Sequence, residues 1–372
     1  MSFKSYVIFF LLFGLLPDLY LVLFSGLPLY GIGILTLPTL AALVSLVYIG
    51  RGAHYTAALR VFSYLIFLFE LPKLIYALVS AVGKLLPGSQ EALAIGLGCG
   101  VAFFFAYLIF YSSRHLRVNS VELRFENLPV ELDGLRLALL ADLHLGSNGK
   151  KAPYVTRVVD TVLARKPELV LFAGDLVNFE SSEADSYVEE LSRIKAPLGV
   201  FAIRGNHDYL LHGPHDEAGR VKDMERLLAL EKKLGWRVLL NEHVIVKEKL
   251  AIVGVENVSD NPYFRRMGGD LGKALEGLPE GVFAILLSHD PSHWRSGVLP
   301  STNIPLTLSG HTHGLKYKLA GIDPSHWKLP HSFGQYVEGK QVLHVSKGLG
   351  SAFAFRLGGF PEVDIITLKT NN

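Results

Sequence analysis

Four apolar stretches follow one another through the first 112 residues and dictate a membrane-spanning bundle there. They run from Ser5 to Phe24, Leu29 to Ile49, Tyr55 to Val82 and Ala92 to Tyr111. A helix needs about 20 such residues to cross roughly 30 Å of hydrocarbon. In lipid the backbone must satisfy its own hydrogen bonds, so the helix is the form these stretches take. The breaks fall at Gly26-Leu27-Pro28, at Arg51-Gly52 and around Pro87-Gly88-Ser89. A cleaved signal peptide explains the first stretch poorly: it is long, lacks a small-x-small cleavage site and is followed by further spans. A peripheral amphipathic anchor fits less well, because the stretches are apolar nearly all round.

Basic residues set the orientation. Lys4 precedes the first span, Arg51 and Arg60 flank the second loop, and Arg114, Arg117 and Arg124 follow the fourth span. The first loop has no basic residue and the third has only Lys84. The positive-inside rule then predicts a multi-pass protein of the inner (plasma) membrane, with the N-terminus and the C-terminal domain in the cytoplasm. Asp18, Glu70 and Lys73 lie in or near the spans. Glu70 and Lys73 are three apart and share a helix face, so they can pair. An interhelical polar contact is the simpler reading of these groups; transport or lipid binding is the sharper one.

After residue 112 the pattern changes. Residues 113–134 read as a juxtamembrane linker and first strand, and residues 135–372 as a globular domain. Short apolar runs alternate with polar helical stretches. Strands are predicted at Leu137–Ala141, Leu169–Ala173, Gly199–Ile203, Arg237–Leu240, Val244–Lys247, Leu250–Val255, Phe283–Leu287, Leu306–Leu308, Val342–Val345 and Val363–Leu368. Helices are predicted at Ala152–Arg165, Ser186–Ile194 and Lys222–Leu234. This alternation predicts a layered α/β domain. The net charge of +2 gives no reason to expect a nucleic-acid partner. The single cysteine, Cys99, excludes an intramolecular disulfide and a cysteine-based zinc site.

Metal-binding residue types recur just after the apolar strands, where open α/β sheets place their sites. The blocks are Asp142-Leu143-His144, Gly174-Asp175-Leu176-Val177-Asn178, Gly205-Asn206-His207-Asp208, His289 and Gly310-His311-Thr312-His313. Singly, each is most often a turn, a cap or polar surface. Their order resembles the calcineurin-like metallophosphoesterase superfamily, with its D-x-H, GD-x-x-[DN], GNH-[DE], H and GH-x-H motifs. The resemblance covers about Leu135 to Thr367 and is strongest to bacterial membrane-anchored YkuE-like and YaeI-like members, including the segment Leu343 to Gly350.

The resemblance implies a four-layer αββα sandwich with the site at the sheet edges, preceded here by the all-α bundle. It implies that Asp142, His144 and His313 hold one divalent ion, that Asn206, His289 and His311 hold a second, and that Asp175 bridges them. His207 would protonate the leaving group or hold the phosphoryl group, and Asp208 would orient His207. Manganese is the first expectation for both ions, with iron, zinc or cobalt as the alternatives; imidazole and carboxylate donors suit all of these. Paired ions lower the pKa of a water and neutralise phosphoryl charge. Gly174, Gly205 and Gly310 allow close backbone approach before the ligands. Two positions depart from relatives, Ala141 and Leu315, and neither supplies a ligand.

Other histidines carry less weight. His212 and His215 read as loop residues; His243 and His344 read as structural. His293, Trp294, His326, Trp327 and His331 read as packing, with stacking on a base or an acyl chain as the alternative. Arg204 is expected in a salt bridge. The expected activity is hydrolysis of a phosphate ester, a phosphodiester or a lipid-linked pyrophosphate, with membrane lipids as neighbours. Hydrolysis of UDP-2,3-diacylglucosamine is one specific form of it. A catalytically silent membrane scaffold is the non-enzymatic alternative, and the filled ligand positions argue against it.

Overall fold

The computed structural model describes residues 3–85, 90–262, 267–314, 330–352, 355–356 and 359–371. Pro87-Gly88-Ser89, Leu315, His326 and Trp327 lie outside the described residues. The chain forms two compact units: Met1–Ser112 with Phe353–Phe355, and Ser113–Ala352 with Arg356–Asn372.

Among the described residues, four helices are long and apolar enough to cross a membrane: Phe3–Phe24, Leu29–Gly50, Tyr55–Gly83 and Glu91–Arg114. The first and third contain wide π turns at Leu11–Leu15 and Ile66–Glu70, just before Pro17 and Pro72. Proline lacks an N–H and crowds the carbonyl four residues earlier, and a wider turn relieves both. The ionisable residues meet here. Lys73 Nζ lies 2.5 Å from Asp18 Oδ1 and 2.6 Å from Glu70 Oε2. It also donates to Thr39 Oγ1 at 2.9 Å and to the Leu35 carbonyl at 3.1 Å. Asp18, Thr39 and Glu70 are buried, so the group ties three spans together.

Among the described residues, the second unit is built from two six-stranded sheets. Its strands are β1 (Arg117–Phe125), β2 (Arg136–Leu140), β3 (Leu169–Phe172), β4 (Val200–Ala202), β5 (Arg237–Val238), β6 (Glu242–Lys247), β7 (Leu250–Gly254), β8 (Phe283–Leu287), β9 (Leu306–Ser309), β10 (Gly334–Glu338), β11 (Gln341–Val345) and β12 (Glu362–Thr370). The strand orders are β1-β12-β2-β3-β4-β5 and β10-β11-β9-β8-β7-β6. Strands β2 to β5 run parallel, as do β7, β8, β9 and β11.

Strands buried on both faces carry apolar residues at every position, and alternate residues enter different layers. Leu137, Leu139, Leu169 and Leu171 face Ile252, Ile285, Leu287 and Leu308 in the core between the sheets. Ala138, Leu140, Val170 and Phe172 point the other way, onto the helices Pro153–Arg165 and Glu217–Leu234. Leu286, Leu343 and Val345 pack outward against Ala274, Trp294 and Val298. The result is four layers, helix-sheet-sheet-helix.

Three local expectations change. The helix expected from Lys222 begins at Glu217, because the Asp216 carboxylate caps it by accepting from Gly219 N at 2.8 Å. The helix expected over Ser186–Ile194 is a 3-10 stretch, Ser181–Tyr187, that runs into a short α-helix, Val188–Ser192. Glu183 lies inside that tight stretch and accepts backbone N–H bonds from Gly146, Asn178 and Phe179. Strand β10 is additional to the expected set: an edge strand that is mostly polar and partly exposed has no apolar alternation to reveal it.

Candidate metal centre

Every predicted ligand follows the carboxyl end of a parallel strand. Asp142 and His144 follow β2, Asp175 follows β3, and Asn206, His207 and Asp208 follow β4. His289 follows β8, and His311 and His313 follow β9. The loops are tied across the two sheets. Asp142 N donates to the Gly174 carbonyl at 2.9 Å, and His311 N donates to Asp142 Oδ2 at 3.0 Å. His207 N donates to Asp175 Oδ1 at 2.8 Å.

Side-chain donors converge in overlapping groups. Asp142, His144 and His313 bring ligand atoms within 4.8 Å of one another, and so do Asp175, His289 and His311. A third group, His144, Asp175 and His207, links them, so Asp175 is shared. Asn206 Oδ1 completes the second group, 3.2 Å from His289 Nε2 and 2.8 Å from His311 Nδ1. All nine residues singled out in the sequence therefore lie in one region.

The backbone is bent to achieve this. Asp142, His144, Asp175, His311 and His313 have φ of 53°, 47°, 61°, 72° and 52°. Such left-handed conformations are uncommon outside glycine and cluster where function demands them. Glycine makes room beside them. A Cβ on Gly205 would sit 2.2 Å from Asp175 Oδ1, and one on Gly348 would sit 2.6 Å from Asp142 Oδ2.

The electrostatics suit cations. Burial pushes the His144 imidazole down to about 3 and lowers those of His311 and His313 as well. These rings are therefore neutral, the state in which nitrogen can coordinate a metal. Burial raises the Asp142 carboxyl to about 7. Burial also opposes ionisation of Asp175, but His289 and His207 beside it hold its carboxyl well below the usual range. Burial works against protonation of His289, yet the charge and hydrogen bond of Asp175 raise it. Both ring nitrogens of His144 and Nδ1 of His313 are buried without a hydrogen-bond partner. Unsatisfied imidazole nitrogens beside buried carboxylates are the donor set that a divalent cation satisfies.

Supporting contacts orient the donors. His289 Nδ1 lies 2.7 Å from the Ala173 carbonyl, which turns Nε2 toward Asp175 Oδ2 at 3.2 Å. His207 Nδ1 lies 2.9 Å from the Asn178 carbonyl. A carbonyl only accepts, so Nδ1 carries the hydrogen and Nε2 is left for another partner.

Asp208 does not reach the His207 ring. Among the described residues its carboxylate accepts backbone N–H bonds from Asp175 (2.7 Å), Leu176 (2.9 Å), Val177 (3.3 Å) and Gly205 (2.9 Å). The turn at Gly205 folds the carboxylate back onto the β3 loop. The contact to the His207 ring comes instead from the carbonyl of Asn178, the last residue of the Gly-Asp-x-x-Asn block.

Other residues came to light only in three dimensions. Buried Arg356 donates to the carbonyls of His313, Lys347, Gly348, Gly350 and Gly359. It gathers the loop after β11 around Asp142. Asp290 Oδ2 lies 3.5 Å from His311 Nε2. An arginine among apolar residues and glycines was the available signal for the first; a carboxylate directly after His289 was the signal for the second.

The remaining residues sort as follows. His212 lies beside His207, with ring centroids 5.7 Å apart. His215 Nε2 lies 3.5 Å from Asp223 Oδ2. His243 and His344 sit in strands and meet the Ala274 carbonyl and Asp364. His293 meets Ser288 Oγ, and His331 packs on Trp294 and Tyr336. Arg204 forms no ion pair among the described residues; it donates to the Met224 carbonyl at 3.3 Å.

The calcineurin-like phosphoesterase family model matches residues 135–315. A transmembrane protein with metallophosphoesterase domain from Danio rerio is 31% identical over 82% of this chain and 71% of its own length. An uncharacterized metallophosphoesterase of Aquifex aeolicus is 28% identical over 68% of this chain and 92% of its own. The uncharacterized metallophosphoesterase YkuE of Bacillus subtilis is 28% identical over 76% and 93%.

Proposed function

The chain belongs to the calcineurin-like phosphoesterase family, and from that premise we propose that it is a membrane-anchored, dinuclear enzyme cleaving a phosphodiester or a lipid-linked pyrophosphate. Asp142, His144 and His313 would hold one divalent ion, Asn206, His289 and His311 would hold the other, and Asp175 belongs to both groups of donors. The observation that carries this reading is His144, fully buried with neither ring nitrogen satisfied, between two carboxylates. When bound, such ions supply Lewis acidity and a nucleophilic water at neutral pH.

The chain's own residues do the rest. His207 is partly exposed, and its Nδ1 is committed to the Asn178 carbonyl. Its Nε2 therefore presents the proton to the departing oxygen, or donates to a phosphoryl oxygen when protonated. Asp208 holds the β3 and β4 loops at a fixed spacing, which keeps Asp175 beside Asn206. Arg356 holds the backbone around Asp142 and His313. Phe179 and His212 flank His207 and form the wall that a leaving group meets.

The basic residues at one set of span ends, Lys4, Arg51, Arg60 and Arg114, support a cytoplasmic catalytic domain in the plasma membrane. The test is the full-length protein stripped by a chelator and reloaded with manganese, iron, zinc or cobalt. It is assayed on bis(p-nitrophenyl) phosphate and on lipid-linked pyrophosphates, including UDP-2,3-diacylglucosamine. The expected result is hydrolysis that returns with about two ions per chain. A protein that binds no divalent ion and shows no metal-dependent hydrolysis overturns the reading.

A further inference from the structure

The membrane unit contains a two-part recess that the phosphoesterase chemistry leaves unused. A groove of about 610 Å³ lies among the spans, walled by Leu35, Phe69, Ile95, Cys99 and Ala102. Its volume falls within the roughly 300–1,000 Å³ of small-molecule sites. A smaller recess of about 180 Å³ shares Tyr76 and Glu91 with the groove and is lined by Ser25, Ser80, Lys84 and Gln90. The polar recess sits where spans end at Phe24 and Gly83 and the fourth begins at Glu91. Cys99 lies eight residues further along that helix, roughly 12 Å deeper. A polar chamber at the interface opening onto an apolar groove at hydrocarbon depth has the layout of a lipid.

The charges name the head group. Lys84 is held in place: Nζ donates to the Phe24 carbonyl at 3.1 Å and lies 5.3 Å and 5.1 Å from the rings of Tyr20 and Phe24. Glu91 supplies one carboxylate to the same chamber. A cation with neighbouring hydroxyls suits a phosphate, and a carboxylate suits an ammonium with N–H donors. An anionic glycerol head would face Glu91 with like charge, and a quaternary amine offers no N–H. Lys73 also borders the groove, but Asp18, Glu70, Thr39 and the Leu35 carbonyl take its donors. It draws no head group downward.

We propose that this recess binds one bilayer glycerophospholipid with a zwitterionic, primary-amine head. The fourth span has 24 residues and is roughly 36 Å long. Its Glu91 end is therefore a membrane thickness away from Arg114, where the chain leaves the bilayer. The bound molecule is a resident lipid of the opposite leaflet and not the substrate.

Native mass spectrometry of the full-length protein, released from nanodiscs of equal phosphatidylethanolamine and phosphatidylglycerol, tests this. One phosphatidylethanolamine should be retained at least about five-fold over phosphatidylglycerol, a preference of roughly 1 kcal/mol. Glu91→Gln should bring that ratio close to one while leaving diester hydrolysis unchanged. A phosphatidylethanolamine carrying a diazirine in its acyl chain should crosslink to Ile95, Cys99 or Ala102 in the unaltered protein, which removes dependence on any variant. Equal retention of the two lipids overturns the proposal, as does a crosslink map spread evenly over all four spans.

Discussion

Replacing Asp208 by asparagine separates two roles that this residue could play. Among the described residues both carboxylate oxygens accept from backbone donors: Oδ2 from Asp175 N and Gly205 N, and Oδ1 from Leu176 N and Val177 N. An amide keeps one acceptor and turns an NH2 toward two N–H groups. Two hydrogen bonds are lost in a site where Asp208 is only 2% exposed. Leaving buried donors unsatisfied costs about 1–3 kcal/mol each, and partial relaxation brings the total to about 2–4 kcal/mol. For a domain of this size that corresponds to a fall in Tm of roughly 4–16 °C. The same loops carry Asp175 and Asn206, so metal affinity should drop about 10–100-fold, as for other residues that support metal ligands. Thermal unfolding of the full-length protein in detergent and metal content after equilibrium dialysis measure the two effects. If Tm and metal content are unchanged while the pH profile of kcat/KM moves, Asp208 acts on the His207 ring and the loop argument is refuted.

His207→Ala should lower kcat about 10²–10⁴-fold with metal content intact, and the loss should shrink for substrates with better leaving groups; an equal loss for all leaving groups argues against proton donation. Gly205→Ala should impair metal loading, because the added Cβ would sit 2.2 Å from Asp175 Oδ1; full occupancy by metal analysis contradicts this. Lys73→Met leaves Asp18 and Glu70 without their cation and should destabilise the membrane unit by about 3–5 kcal/mol, with partial recovery when Asp18→Asn is added, read by thermal unfolding. Burial, then the charge of Asp208, push Glu231 up to about 8 against the pull of Arg204. The folded chain then keeps a proton that the unfolded chain releases near pH 4.3, so this stability is complete below that pH and is lost as pH rises to about 8. The Tm of Glu231→Gln relative to the unaltered chain should climb from pH 5 to pH 8; a constant difference rules out Glu231 as the source.

What was legible beforehand follows from burial. Strands such as β8, Phe283–Leu287, are buried along their whole length and read as unbroken apolar runs. The grouping of Asp142, His144, Asp175, His289, His311 and His313 was legible because these residue types fall directly after such runs and in the order of the family motifs. Support by the backbone was not legible. The Asn178 contact uses a carbonyl that any residue would supply. Arg356 acts on five carbonyls, which carry no sequence signature. The family resemblance implies that Asp208 orients His207; in the structure its carboxylate accepts from backbone N–H groups of Gly205 and the β3 loop. The membrane spans were legible by length, and the pairing of Glu70 with Lys73 by helix spacing. Recruitment of Asp18 and Thr39 from other spans needed the tertiary fold.

Strand β12 lies between β1 and β2, parallel to the first and antiparallel to the second. The partners Arg117 and Glu362 are separated by most of the domain, yet they stand side by side. A ribosome delivers β2, with Asp142 and His144 behind it, long before it delivers the strand that closes the gap. Until then β2 has an open edge, and the loop after β11 that supports Asp142 is absent. Strand β12 fills the slot between β1 and β2 and pairs with both. Closure of the first sheet therefore depends on a strand encoded far downstream of the loop that carries Asp142 and His144.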